Sequence, residues 1–119
     1  MPHEGEHLKK AADNESLASS LDTSIPIAPN WAIVMLFYVA VHYVEAYFSR
    51  QSKHLVGHPA RETAIQRDPK INSIFRNYRE LYTYSREARY EAVYFPASEI
   101  AVVLPFLERV KKVIIPLLK

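Results

Sequence analysis

The stretch "WAIVMLFYVAVHYVEAYF", residues 31–48, decides the fold. Its first half is uninterrupted apolar sequence, which predicts a buried helix, yet its second half carries His42 and Glu45. Together with Tyr38 and Ser49, these two residues are spaced i, i+4, i+7 and i+11, so a helix places all four on one face. An unpaired buried carboxylate is costly, so this polar stripe must meet a cation or reach water.

The size and composition of the chain limit the alternatives. At 119 residues it fits one domain, and 49% apolar with 24% charged residues is typical of a folded globular protein. The apolar run ends at Val41, well short of the roughly 20 residues that a membrane span needs. Residues 2–7 are polar and acidic, unlike a signal peptide. We therefore expect one cytoplasmic domain over residues 1–119, without membrane contact.

Cysteine usage and charge exclude several classes of function. The chain has no cysteine, which excludes disulfides, a thiolate nucleophile and Cys-ligated zinc or iron–sulfur sites. Its formal net charge of +2 is far below the dense basic footprint of a protein dedicated to duplex DNA. General affinity for duplex nucleic acid is not predicted.

The hydrophobic pattern predicts helices and no strands, because period-2 alternation and hairpin dipeptides are absent. Prolines make residues 22–29 a linker, and Asn30 is then predicted to be the N-cap of the second helix. Short links between long helices favour an all-α, up-and-down bundle of four to five helices. The predicted helices cover residues 4–21, 31–52, 60–67 (short) and 70–93, and a last one follows Pro96.

The polar stripe of the second helix predicts a facing cation. In an antiparallel bundle, the nearest supply is the arginine face of the 70–93 helix, which carries Arg79, Arg86 and Arg89. Two hypotheses stay open for this contact. In one, Glu45 and an arginine form a structural ion pair, and His42 is a hydrogen-bonding neighbour of that pair. In the other, the stripe lines a polar cleft between two helices.

The loop after the second helix holds a further group of polar residues. His58 and Arg61 are three residues apart at the start of the short helix, where imidazole and guanidinium could meet one phosphate. Alternatively, His58 caps that helix and Arg61 lies on the surface. A metal site is a third possibility, but Gly57 and Pro59 disrupt the helical spacing that its ligands would need, so no metal or cofactor is expected. The ligands of that site would be His42, Glu45, His54 and His58.

Four segments in this order resemble an uncharacterised prokaryotic branch of the HEPN superfamily, the higher eukaryotes and prokaryotes nucleotide-binding domain. They are "HLKKAADNESLASSLD" (7–22), "NWAIVMLFYVAVHYVEAYF" (30–48), "HLVGHPARETAI" (54–65) and "YRELYTYSREARYEAVYF" (78–95). The resemblance implies a helical bundle that dimerises, with a polar site near the dimer or helix interface. It also implies one of two activities: a metal-independent ribonuclease of toxin–antitoxin or defence systems, or a non-catalytic partner of a minimal nucleotidyltransferase.

The sequence lacks the Arg–His motif that active members of the family share. Active HEPN ribonucleases resemble one another in an Arg followed by His after four to six residues, whereas Arg50 is followed by His54 after three and by His58 after seven. Two hypotheses follow. In the first, a displaced site cleaves RNA, or binds RNA or a nucleotide without cutting it. In the second, the chain is a non-catalytic interaction module. The displaced catalytic site would use His58, Arg61 and Arg86, beside a binding pocket of Tyr38, His42, Glu45, His54, Arg89 and Tyr90.

Overall fold

The computed structural model describes residues 3–119. These residues form five α-helices and contain no β-strand. The all-α prediction is confirmed. Four helices are long and one is short, with a single 3₁₀ turn before the fourth. In chain order they are α1 (Glu4–Ser20), α2 (Ala28–Ser49), α3 (His58–Arg67), the 3₁₀ turn Asn72–Ile74, α4 (Phe75–Tyr90) and α5 (Ser98–Leu117).

Helix α2 is the centre of the bundle because α1, α4 and α5 all pack against it. Arg50 at its end forms an ion pair with Glu4 at the start of α1, so these two helices run antiparallel. Of the described helices, α2 is the one long and apolar enough to cross a membrane, yet 67% of its most apolar window is buried by the rest of the protein. A central helix of a bundle passes the same test of length and composition.

The beginning of α2 differs from the prediction. The helix starts at Ala28 with Pro29 in its first turn, so Asn30 is not the N-cap. Proline is tolerated there because the first helical N–H groups have no intrahelical acceptor. Asn30 is instead buried, and its side-chain amide donates to the backbone carbonyls of Ala88 and Val93. It thereby joins the start of α2 to the end of α4, so these two helices run antiparallel.

Other helix boundaries also differ from the predictions. Helix α2 ends at Ser49 rather than at residue 52, and the predicted helix 70–93 is a 3₁₀ turn followed by α4, which stops at Tyr90. Helix α3 begins two residues earlier than predicted, directly after Gly57. That glycine has a φ of 85°, in the left-handed region that side chains with a Cβ rarely adopt. It turns the chain so that His58 and Arg61 enter the bundle in the first turn of α3.

Candidate functional site

Glu45 on α2 finds its cation on α3, not on α4. Arg61 Nη1 donates to Glu45 Oε1 over 2.8 Å, and Arg61 as a whole is only 8% exposed. The expectation that an α4 arginine would pair with Glu45 was therefore wrong. Arg79 on α4 pairs instead with Glu62, with 2.7 Å between Nη1 and Oε1. Arg89 of the predicted arginine face does meet the polar stripe, but it bonds to the Tyr38 hydroxyl and not to Glu45.

Arg61 is bonded on all three of its nitrogens. Besides Glu45, its Nε donates to the hydroxyl of Tyr78 over 3.0 Å, and its Nη2 donates to His58 Nδ1 over 3.0 Å. Burial raises the pKa of Tyr78 to about 12, so the hydroxyl stays protonated and accepts the bond from Arg61. The guanidinium thus ties α2, α3 and α4 together, and it orients His58.

A histidine pair continues the network toward α1. His7 is buried, and its Nδ1 lies 3.1 Å from His42 Nδ1, while its Nε2 lies 3.4 Å from Glu45 Oε2. A carboxylate beside Nε2 favours a proton there, so His7 Nδ1 accepts and His42 Nδ1 donates. Burial, with the nearby His7 as the next cause, lowers the pKa of His42. Both imidazoles line a cavity of about 460 Å³ between α1 and α2.

His7 was missed as a site residue by sequence reasoning. A signal existed in the sequence, because His7, Ala11 and Ala18 have helical spacing and are the buried residues of α1. A histidine on the small-residue face of a helix is a candidate contact for a polar stripe on the neighbouring helix. Only the packing of α1 on α2 showed which polar residue it would meet.

His58 is half-buried above an aromatic floor. Its ring centroid lies 4.6 Å from that of Tyr82 and 5.2 Å from that of Phe37. Because an arginine can only donate, His58 Nδ1 accepts the bond from Arg61, and the neutral ring carries its proton on Nε2. Burial, followed by the charges of Arg61 and Arg89, lowers the pKa of His58, which keeps the ring neutral at pH 7.

Two arginines of α4 have different surroundings from Arg61. Arg89 Nη1 donates to the Tyr38 hydroxyl over 3.1 Å, and its guanidinium lies 4.9 Å from the Tyr90 ring centroid. Arg86 is exposed and stacks on the same ring at 5.5 Å. Neither arginine has a carboxylate within ion-pair distance among residues 3–119. Arg86 and the Tyr90 ring are exposed to solvent, whereas Arg89 is partly buried and its Nε also donates to the Ser85 carbonyl over 3.3 Å.

The remaining candidate residue stands apart. His54 is exposed in the segment between α2 and α3, and its side chain makes no hydrogen bond or ion pair with any residue from 3 to 119. Within the same residues, no group of three or more His, Asp or Glu side chains is placed to hold a metal ion. The catalytic roles of His58, Arg61 and Arg86 stay predictions.

The site therefore has two parts joined by Arg61 and His58. We call His7, His42, Glu45 and Arg61 the buried network, and His58, Arg86, Arg89 and Tyr90 the α4 cationic face. The buried network satisfies its own charges, so its main effect is to hold helices and set tautomers. The α4 cationic face combines arginine N–H groups and an aromatic ring with His58 of α3, which lies near enough for the charges of both arginines to act on it, and such groups bind a phosphate beside a base.

Comparison of the chain with protein-family models, with curated proteins and with solved structures finds no match.

Proposed function

We propose that the chain is a HEPN-like helical-bundle protein that binds single-stranded RNA or a nucleotide at the α4 cationic face. The observation that carries the proposal is the pair Arg86 and Arg89, which stack on Tyr90 and have no carboxylate partner among residues 3–119. Arg89 is held in place by bonds from its Nε to the Ser85 carbonyl and from its Nη1 to the Tyr38 hydroxyl, neither of which neutralises its charge. Arg86 and Arg89, beside the Tyr90 ring, therefore keep a positive charge and N–H donors that can bind a phosphate.

The chemistry of the face suits a nucleotide in particular. Guanidinium groups bind phosphate oxygens with paired N–H donors, and a tyrosine ring stacks on any base without sequence preference. The third donor would be His58 Nε2–H, which the Arg61 bond to Nδ1 holds in place. A neutral imidazole donates one hydrogen bond without adding charge, so Arg86 and Arg89 supply the attraction for the anion.

Binding without cleavage is favoured by the state of the same histidine. A general acid in RNA cleavage would need an imidazolium, whereas the lowered pKa keeps His58 neutral at pH 7. A general base would need a free lone pair, whereas Nδ1 accepts a bond from Arg61 and Nε2 carries the proton. Arg61 already donates hydrogen bonds from all three of its nitrogens to other side chains of the protein. It is therefore better placed to orient His58 than to contact a phosphate.

The test is binding of a fluorescein-labelled single-stranded RNA, followed by anisotropy over a series of salt concentrations. Each arginine that neutralises one phosphate contributes about 0.7 to the slope of log K against log salt. We expect Arg86→Gln to weaken binding and to lower the slope by about that amount. The matched control is Arg76→Gln, which removes the same charge from an exposed position at the other end of α4. Equal losses in both variants would contradict a defined site.

Cleavage is tested on the same RNA in EDTA. We expect the RNA to remain intact, because no group in the face is poised as acid or base at pH 7. Cutting that disappears in both His58→Ala and Arg86→Ala proteins would replace the binding proposal with a metal-independent ribonuclease whose active site is displaced from the usual family motif. Membership in the HEPN superfamily, a toxin–antitoxin or defence role and a cytoplasmic location are parts of the same proposal.

A second candidate function is that of an interaction module, either as a homodimer or with a nucleotidyltransferase partner. The observation that favours it is a group of exposed apolar and aromatic side chains where α2 begins and α4 ends. Single exposed apolar residues are ordinary, but contiguous ones mark contact surfaces. Light scattering of the wild type and of Trp31→Glu would test it, and a monomer in both would remove the homodimer. These side chains are those of Ile27, Trp31, Tyr90, Val93 and Tyr94.

A further inference from the structure

A second cavity lies on the other side of α3, away from the α4 cationic face. It is an open groove of about 770 Å³ between the end of α2, the segment after it and α3. Its size falls within the roughly 300–1,000 Å³ that is typical of sites for small molecules. Most of its walls are apolar side chains: Phe48, Leu55, Pro59, Ala60, Ala64 and Pro69.

The charged residues of the groove are unbalanced. Lys53 and Arg67 line it, and neither has a carboxylate within ion-pair distance among residues 3–119. The one acidic residue in the lining, Asp68, is already bonded, since one oxygen accepts from the Tyr47 hydroxyl over 2.8 Å and the other from the Lys70 amide over 2.8 Å. The groove therefore combines an apolar floor with two cations that no acidic side chain neutralises.

The bond between Tyr47 and Asp68 persists over the physiological pH range. Burial, together with Asp68, raises the pKa of Tyr47 to about 12, so the hydroxyl keeps its proton and continues to donate. The bond holds the Asp68 carboxylate against α2. There the carboxylate accepts from the Tyr47 hydroxyl and is not free to pair with a ligand. Arg67 lies in the last turn of α3, next in sequence to Asp68, and its own side chain stays exposed.

We propose that this groove binds a small organic anion with an apolar body, whose carboxylate, phosphate or sulfonate group pairs with Arg67 and Lys53. An apolar floor buries the body of the ligand, and the arginine fork matches the paired oxygens of the head group. This site shares no residue with the α4 cationic face. Failure of the RNA-binding proposal therefore leaves it intact, and its own failure says nothing about RNA.

The experiment uses 1-anilinonaphthalene-8-sulfonate, an aromatic body with one anionic group, which fluoresces when it enters an apolar site. We expect saturable binding of one probe per chain to the native protein. Thr63→Trp places a bulky ring in the groove from an exposed position of α3 and should abolish binding. Arg67→Gln should weaken it about tenfold, the value of one charge-assisted hydrogen bond. The matched control Arg109→Gln, an exposed position on α5 outside the groove, should bind like the wild type.

Three further measurements separate the body from the charge of the ligand. The uncharged N-phenyl-1-naphthylamine should bind equally to the wild type and to Arg67→Gln, but not to Thr63→Trp. Octanoate should displace the sulfonate probe, whereas inorganic phosphate at the same concentration should not. The proposal is overturned if Thr63→Trp binds the probe like the wild type, if Arg109→Gln loses as much as Arg67→Gln, or if phosphate displaces as well as octanoate. Thermal unfolding by circular dichroism verifies that each variant is folded.

Discussion

The buried network and the α4 cationic face use the same side chain, arginine, in opposite ways. Arg61 is 8% exposed and donates to a carboxylate, a hydroxyl and an imidazole, all from its own chain. Arg86 on α4 is exposed, its guanidinium lies over the ring of Tyr90, and it makes no ion pair within residues 3–119. The difference teaches that the surroundings of a guanidinium, not its presence on a predicted helix face, separate a structural arginine from one that can bind a ligand.

Loss of Arg61 is the largest effect that this comparison predicts. Arg61→Leu leaves the Glu45 carboxylate, partly buried, without its cation, and breaking a buried pair in this way costs about 3–5 kcal/mol of unfolding free energy. Arg86→Leu should change that free energy by less than about 0.5 kcal/mol, because an exposed side chain with one stacking contact is lost. Urea denaturation of both variants measures the difference. Equal destabilisation would mean that the two arginines do not differ as the contacts indicate.

A double variant sharpens the same comparison. In Glu45→Leu/Arg61→Leu neither charge is left alone, and apolar replacement of a whole buried pair is often neutral or stabilising. We therefore expect it to be more stable than Arg61→Leu alone. Any stability that the double variant still lacks relative to the wild type would measure the lost bonds from Arg61 to the Tyr78 hydroxyl and to His58 Nδ1.

Acidification should lower the unfolding free energy of the protein. Burial lowers the pKa of both His42 and His58, so below pH 6.5 the unfolded chain binds more protons than the folded one. Stability is therefore full above the unfolded pKa and falls as the pH drops toward the folded pKa, by at most about 1.4 kcal/mol per pH unit for each histidine.

The measurement is the urea midpoint between pH 5 and pH 8. The groups around His42 are His7 and Lys10 from α1, Glu45 from α2 and Arg61 from α3. Of these, Glu45 favours the proton and the other three oppose it, while burial opposes it most. His42→Gln and His58→Gln should each flatten the pH dependence. An unchanged slope in both variants would assign the effect to other groups.

A smaller change, an increase in stability, is expected from substitution of Ser85, which lies one helical turn before Arg89 on α4. Its hydroxyl is fully buried and is the one buried side-chain polar atom without a partner in the described part of the chain. Ser85→Ala removes that unpaired group and should raise the unfolding free energy by about 1 kcal/mol. The Ser85 carbonyl, which accepts from Arg89 Nε, is unaffected because it belongs to the backbone. Thermal melting verifies the sign, and a loss of stability would point to a hidden bond of the hydroxyl.

The smallest effect belongs to the tyrosine of the α4 cationic face. Tyr90→Ala removes the ring on which Arg86 and Arg89 stack, and exposed cation–π contacts are worth about 0.5 kcal/mol each. Stability should therefore hardly change, while binding of single-stranded RNA should weaken because a base loses its stacking partner. Anisotropy and urea denaturation on the same variant separate the two outcomes. Unfolding with unchanged RNA binding would place Tyr90 in the structure instead of the site.

Helix identity followed from local pattern, whereas helix ends and polar partners did not. The period of the apolar residues indicates the four long helices, but the prolines before Asn30 indicate a linker there, whereas the helix already begins at Ala28 and Asn30 is not its cap. His42 and Glu45 were found by their spacing. His7, which lies 35 residues from His42 in the chain, could be joined to it only by the packing of α1 on α2.

By itself, the sequence determined an all-α chain with a central apolar helix that carries a polar stripe, because periodicity and composition act over a few neighbouring residues. The tertiary structure decided which cation meets Glu45, which nitrogen of His58 keeps its proton, and which arginines are left facing solvent. Those outcomes depend on distances between helices that are far apart in the chain, and a difference of a few ångströms decides whether a charge is paired. Sequence spacing cannot fix such distances, because several helix arrangements bury the same apolar faces.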